Sequence, residues 1–130
     1  MAQQEPIRLT LSPEAEKYVR RDAPVGVRRM AAGGALPLPP ADLATVLFAL
    51  THDPDEQVKT KATESLTGLP DGVAMAVLSG DAHPAVLGWL AHAWSDEADR
   101  MEKLALNPDC DDRTIAFLGS LPHRGVVEIV

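Results

Sequence analysis

The sequence predicts an all-α fold, a right-handed stack of antiparallel helix pairs (an α-solenoid) with about seven to nine helices and no sheet. Two observations lead to this fold class. Apolar residues recur three and four positions apart along most of the chain, which is the period of one helix face. A turn in which Asp or Asn is followed within three residues by Pro recurs roughly every 30 residues, at Asp22, Asp53, Asp81 and Asn107.

The N-terminal part is predicted to cap the stack rather than to form full repeats. Residues 1–11 are polar and have no period, so they are expected to be an irregular lead-in. Ser12 is a suitable N-cap and is followed by a proline and an acidic residue, which predicts a helix over 13–21. Residues 12–40 are interpreted as N-terminal capping helices.

The second helix of this part is expected to follow Asp22. Met30 is predicted on its inner face, and the pair Gly33–Gly34 should end it. Three of the four residues in 37–40 are prolines, which remove backbone donors and force an extended geometry, so the segment 36–40 cannot be helical and is predicted to be a linker.

Residues 41–130 are predicted to form the repeats. The first helix should cover 41–50, where four apolar residues recur at helical spacing. The next is expected to start at Asp53 as N-cap, with Pro54 in the first turn and Glu56 in the capping-box position. A shorter helix is expected through Val73, Val77 and Leu78, and further starts are predicted at Asp81, Ser95 and Asn107.

Three kinds of position keep one register along the chain. The turn residues Asp22, Asp53, Asp81 and Asn107 are 31, 28 and 26 residues apart. Aliphatic positions follow at Val27, Val58, Val86 and Ile115, and larger apolar positions at Leu36, Leu66, Trp94 and Leu121. A unit of this length accommodates two helices and two turns, and neither helix can bury its apolar face alone. The alternative is an irregular helical bundle whose spacings coincide because its helices have similar lengths.

One unit matches a known repeat pattern. Asp53-Pro54-x-x-x-Val58-x-x-x-Ala62-x-x-x-Leu66-x-x-Leu69 resembles a HEAT-type repeat, and Leu104-Ala105-Leu106-Asn107-Pro108 resembles the variant leucine-rich repeat, a bacterial helical relative. The resemblance covers about residues 22 to 125. Two features depart from it: the usual Arg after the valine is Lys59 or Leu87, and no cysteine-rich segment is present. The resemblance implies a protein-binding scaffold.

Composition is that of one globular domain of 130 residues with net charge −7. Residues 41–130 carry most of the acidic excess, which disfavours nucleic acid because phosphate contacts supply most of its affinity. We expect a cytoplasmic protein with no membrane insertion, since there is neither a long apolar run nor a signal segment. The apolar C-terminal residues have no stop signal, so we interpret the chain as part of a longer protein.

No pattern in the sequence predicts catalysis, a cofactor or a metal ion. His52, His83, His92 and His123 form no i, i+4 pair. Asn107, Asp109 and Asp111 imitate the start of a calcium loop, but Asp112 and Leu118 stand where Gly and Glu are required. Cys110 is the single cysteine, for which a plain thiol is the simpler interpretation and a redox sensor the alternative.

Two features are candidate partner-binding sites. Five cations lie within thirteen residues around a predicted helix turn: Lys17, Arg20, Arg21, Arg28 and Arg29. One interpretation is that they bind an acidic surface or a phosphate. The alternative is that they keep the protein soluble and interact with the negative C-terminal end of a helix dipole. Trp94 fits the inner face of its helix, which leaves Trp89 near the edge as a possible binding residue.

These observations lead to one functional hypothesis and one alternative. The hypothesis is a non-enzymatic protein–protein interaction scaffold or adaptor in a bacterial cytoplasmic regulatory or assembly system. The alternative is a nucleic-acid-binding helical-repeat protein that uses the Arg-rich N-terminal helices.

Overall fold

The computed structural model describes residues 13–19, 23–34, 36–80 and 82–122. Within these ranges every regular element is helical: seven helices follow a single helical turn, and no strand is present. The elements are α1 (Pro13–Glu16), α2 (Val25–Ala32), α3 (Pro40–Leu50), α4 (Glu56–Thr67), α5 (Asp71–Leu78), α6 (Pro84–Ala93), α7 (Ala98–Ala105) and α8 (Asp112–Gly119). The predicted all-α class is confirmed for this part of the chain.

α3 is the helix against which most of the others pack. Seven of its 11 residues are buried, so it is apolar on nearly every side, as expected of a helix enclosed by neighbours. It begins at Pro40, so the linker prediction was wrong for this residue: a proline is tolerated in the first helical position, where the missing N–H would have no helical partner. α3 contacts α1, α2, α4, α5 and α6. The buried residues of the core form a larger and a smaller apolar cluster, and α3 contributes to both.

Most helices two positions apart in the chain pack against each other. α1 contacts α3, α2 contacts α4, α3 contacts α5, α5 contacts α7, and α6 contacts α8. The larger cluster includes residues of α3 to α8, and the smaller one joins α1 and α2 to α3 and α4. Both α3 and α4 contribute residues to the two clusters, which therefore adjoin at these helices.

The smaller cluster is built from small side chains. Ala15, Ala31 and Ala32 are fully buried there against Val46 and Val58. Small residues allow helix axes to approach closely, because little side-chain volume separates the backbones. α2 therefore faces the core through its two alanines.

Two predictions for this region were wrong. Met30, predicted on the inner face of α2, is 59% exposed, since the alanine face is the one that packs. The first helix, predicted over 13–21, ends at Glu16; Tyr18 and Val19 then donate to carbonyls three residues back, which tightens the chain into a turn. Residues 20–22 lie outside the described ranges.

The predicted end of α2 is confirmed: Gly34 has φ 80°, a conformation that favours glycine.

The predicted cap of α4 was wrong by two residues. The N-cap is Asp55, whose carboxylate accepts hydrogen bonds from the backbone N–H groups of Gln57 and Val58. Asp53 is instead buried, and it accepts a bond from the Asp55 N–H and faces Arg28. Because the Asp53 carboxylate binds Arg28 of α2, the next acid along the chain, Asp55, caps α4 instead.

The predicted start of α8 at Asn107 was wrong for a similar reason. The N-cap is Asp111, which accepts from the Thr114 N–H. Asn107 is 5% exposed, and its amide nitrogen donates to the carbonyls of Leu78 (2.6 Å) and Gly80 (2.9 Å). Asn107 thereby ties the turn before α8 to the end of α5.

Two other predicted caps differ in detail. His83 caps α6 through Nδ1, which accepts from the Ala85 N–H at 3.0 Å, whereas Asp81 lies outside the described residues. Glu97 is the N-cap residue of α7 but its side chain makes no cap bond and lies 3.4 Å from Arg100.

Long-range side-chain hydrogen bonds in the described ranges share a characteristic spacing. They join residues 25 to 33 positions apart: Arg28–Asp53, Arg29–Asp55, Trp94–Thr67, Arg100–Asp71, Asn107–Leu78, Asn107–Gly80 and Ser65–Ala32. The aliphatic and larger positions of the predicted register are fully or nearly fully buried at Val58, Val86, Leu66 and Trp94, and half-buried at both ends. Side-chain hydrogen bonds thus connect parts of the chain that lie about one predicted repeat length apart.

Candidate interaction groove

The predicted basic cluster does not form a free cationic patch among the described residues. Arg28 Nη1 lies 2.6 Å from both carboxylate oxygens of Asp53, and the two side chains are only 12% and 3% exposed. Arg29 pairs with Asp55 at 3.0 Å. Both arginines therefore hold α2 to the turn before α4, which does not favour their use on nucleic acid.

The remaining residues of the predicted basic cluster are Lys17, Arg20 and Arg21. Lys17 is exposed, with its Nζ 5.2 Å from the ring centroid of Tyr18. Arg20 and Arg21 lie outside the described residues. The cluster as predicted thus divides into two paired arginines, one exposed lysine and two residues of undescribed position.

The two tryptophans occupy different environments. Trp94 is 3% exposed; its Nε1–H donates to the Thr67 carbonyl at 2.9 Å, and the Arg100 guanidinium lies 4.3 Å from its ring centroid. Trp89 is half-buried and packs against the larger core cluster. Trp89 also lines a solvent-open groove, which makes it the tryptophan available for binding.

This groove, here called the Trp89 groove, has a volume of about 360 Å³ and is mostly apolar. It lies where the C-terminal end of α3, one face of α6 and the start of α8 meet. Its lining residues are Phe48, His52, Pro84, Ala85, Gly88, Trp89, Ala91, His92, Asp111, Arg113 and Thr114.

Close packing of α6 on α8 forms one wall of the groove. A Cβ atom added at Gly88 would lie 3.0 Å from Thr114 Oγ1, so the absence of a side chain there permits the approach. Thr114 is buried at 5% exposure. The position of α8, and of Arg113 on it, thus depends on a glycine in α6.

Two aromatic pairs contribute side chains to the groove. The Phe48 and His52 rings pack edge to face with centroids 5.1 Å apart, and His92 packs similarly on Phe117 at 4.0 Å. His52 Nδ1 lies 3.1 Å from the Phe48 carbonyl oxygen. Such contacts hold the imidazoles in defined orientations beside Trp89.

Asp111 is the single acid that lines the groove, and its charge is largely engaged by α8. Hydrogen bonds from the Thr114 N–H and then the Thr114 hydroxyl lower the pKa of the Asp111 carboxyl, and Arg113 lowers it further. Two of the three side chains with calcium-like spacing, at Asn107, Asp109 and Asp111, make other contacts. The Asn107 amide oxygen accepts from the Asp109 N–H, and the Asp111 carboxylate caps α8. No group of three metal-ligating side chains is present in the described ranges.

A second concavity, of about 510 Å³, lies on the exposed side of α2 and α4. Its lining residues are polar or charged, with charges of both signs: Arg29, Glu56, Gln57, Thr60, Lys61 and Glu64. Its apolar surface therefore comes from the carbon stems of long side chains and its charges cancel, whereas the Trp89 groove has a tryptophan, so the Trp89 groove is the better candidate.

Cys110, beside the groove, is held as a thiol. Burial, and then the charge of Asp111, raises the pKa of the Cys110 thiol to about 11. At pH 8 the thiolate fraction of Cys110 is roughly 100-fold lower than that of a free cysteine. A thiolate of higher pKa is also more nucleophilic, here by roughly tenfold, and this offsets part of the loss.

We therefore expect folded protein to react with iodoacetamide at pH 8 roughly tenfold more slowly than free cysteine does. The rate should rise with pH until about pH 11. Mass spectrometry of the quenched reaction measures it, and the urea-unfolded chain is the control. Equal rates for folded and unfolded chain would contradict this environment.

Part of the groove could be predicted from the sequence and part could not. Trp89 was identified from its helical position. His52 and His92 were considered as metal ligands, and the structure brings both to the groove. Phe48 and Arg113 were missed, because their side chains meet Trp89 only through the packing of α3 and α8 on α6.

The fold and the groove define a class: an all-helical protein with a tryptophan-lined surface groove. No helix in the described ranges combines the length and apolar character needed to cross a bilayer. No protein-family model, curated protein or solved structure matches this chain.

Proposed function

We propose that this chain is a non-enzymatic protein-interaction module of the α-solenoid type, with antiparallel helix pairs stacked in a right-handed, HEAT-like manner. It acts as a scaffold or adaptor in a bacterial cytoplasmic regulatory or assembly system. The repeat architecture is supported by side-chain hydrogen bonds that recur one period apart and by the packing of helices two positions apart.

The Trp89 groove is the observation that carries the binding function. It combines a half-buried tryptophan, a mostly apolar floor and a few polar groups at its rim, as protein-binding sites do. The charges elsewhere in the described chain are mostly dispersed or paired, as at Arg28, Arg29 and Arg100. The groove is therefore where a partner can gain apolar contact.

Photo-crosslinking from the groove tests the proposal. His92 is exposed at the groove, so replacing it with p-benzoylphenylalanine (His92→Bpa) puts a crosslinker beside Trp89 without opening the core. We expect irradiation in cells of the source organism to give one or a few discrete adducts, identified by mass spectrometry. The adducts should be lost when Trp89→Ala is added.

Lys103→Bpa on α7 is the matched control, because Lys103 is also exposed but does not line the groove. The proposal fails if His92→Bpa gives no adduct beyond those of the control. It fails equally if the adducts persist unchanged in the Trp89→Ala background while circular dichroism shows that variant to be folded.

A further inference from the structure

We propose that the Trp89 groove binds a peptide segment of a partner protein that carries a bulky apolar side chain followed closely by a carboxylate. The apolar side chain lies against Trp89 and the carboxylate beside Arg113. This inference rests on the proposed function, because it specifies the class of partner for the same groove.

The apolar half of the recognition comes from the shape and lining of the groove. Phe48, Ala85 and Trp89 present carbon surface, whereas Gly88 contributes only backbone, with Thr114 packed where its Cβ atom would be. A volume of about 360 Å³ is near the lower end of the range for ligand sites. The groove thus suits one or two side chains of an inserted segment rather than the full face of a helix.

The carboxylate half comes from the charges at the rim. Arg113 is exposed on the first turn of α8, and the imidazoles of His52 and His92 are further polar groups in the lining. Asp111 opposes them, but it accepts the Thr114 N–H and lies at the positive end of α8, which offsets its charge. A guanidinium binds a carboxylate by paired hydrogen bonds, which gives orientation as well as attraction.

The charge of the rest of the protein sharpens this preference. The chain has net charge −7, and α7 begins with a run of exposed acids. An acidic segment is therefore repelled by most of the surface, whereas Arg113 in the groove lining offers it a counter-ion, which favours this one place. A basic segment would bind the acidic surface at many positions and gain nothing from Arg113.

The test compares three ten-residue peptides that differ at two positions. Each has a central Leu-Phe pair, followed by Asp-Asp, Asn-Asn or Lys-Lys, within a Gly/Ser background. They are titrated into ¹⁵N-labelled protein, and the indole N–H resonances are followed. Trp94 donates to Thr67 and is buried, so its resonance is an internal reference for Trp89.

We expect the Asp peptide to shift the Trp89 resonance and to bind at least about threefold more tightly than the Asn peptide and about tenfold more tightly than the Lys peptide. Arg113→Ala should bring the three affinities within about twofold, since the rim charge is lost. Lys103→Ala, which removes a cation away from the groove, should leave the preference intact. Trp89→Phe assigns the resonance and keeps an aromatic ring against the core.

Three results would overturn the inference. They are a Lys peptide that binds as well as the Asp peptide, shifts centred on another surface, and an Asp peptide that produces no shift at Trp89. Self-association that Trp89→Ala abolishes would instead make a second copy of the chain the occupant. If the peptide preference fails while the groove-dependent His92→Bpa adducts persist, only the partner class is wrong; if both fail, the proposed function is wrong as well.

Discussion

Trp94→Ala is expected to lower the free energy of unfolding by about 4 kcal/mol, the largest effect of the substitutions considered. Trp94 is 3% exposed in the larger core cluster, so its removal leaves a cavity that the neighbouring helices can only partly fill. It also removes the hydrogen bond to the Thr67 carbonyl and the contact with the Arg100 guanidinium. Since small domains have only about 5–15 kcal/mol in total, the variant should unfold at much lower urea concentration. Circular dichroism at 222 nm measures the transition.

Two variants separate the causes of this loss. Trp94→Phe keeps an aromatic ring in the cluster and loses the Nε1 hydrogen bond, so we expect a smaller cost. Trp89→Ala should also cost less than Trp94→Ala, because Trp89 is only half-buried. A Trp89→Ala cost equal to that of Trp94→Ala would mean that Trp89 is a core residue, which would contradict its assignment to the groove.

Asp53→Asn is expected to lower the free energy of unfolding by about 3 kcal/mol. The substitution keeps the side-chain oxygen that accepts the Asp55 N–H but removes the charge that faces Arg28. Arg28 is only 12% exposed, so its guanidinium is left largely out of water without a counter-ion. Urea unfolding followed by circular dichroism gives the value.

Asp55→Asn is the matched control, since it keeps a capping oxygen for α4 and removes the pairing with the more exposed Arg29. It should cost clearly less than Asp53→Asn, because exposed ion pairs contribute little. Adding Arg28→Met to Asp53→Asn should restore part of the stability, as it removes the uncompensated charge. Equal losses for Asp53→Asn and Asp55→Asn, or no rescue by Arg28→Met, would refute the assigned role of this pair.

The helical periodicity predicted where the main helices lie. The region predicted over 41–50 is α3, and the segments through Val58, Val86 and Met101 are helical as expected. This worked because the spacing of apolar residues on one helix face is set by local geometry, three to four residues at a time. Glycine was also informative, as at Gly34, because it permits backbone angles that other residues disfavour. Pro40 was predicted in a linker and is instead the first residue of α3, because proline is tolerated in the first helical position.

The roles of the turn residues were not predictable in the same way. Asp53 and Asn107 both look like N-caps in the sequence, and both are buried links to a residue 25 to 29 positions earlier. A carboxylate or amide has several possible partners, and it takes the one that the fold brings close and shields from water. The acids that follow, Asp55 and Asp111, then cap the helices.

The sequence by itself therefore determined the all-α class, the approximate helices and the identity of the tryptophan near the edge of its helix. The tertiary structure decided which charges are paired and which side chains meet at the groove. The physical reason is distance along the chain: helix formation depends on neighbours within one turn, whereas the Arg28–Asp53 pair and the grouping of Phe48, Trp89 and Arg113 depend on segments tens of residues apart. The candidate groove exists only because α3, α6 and α8 pack together.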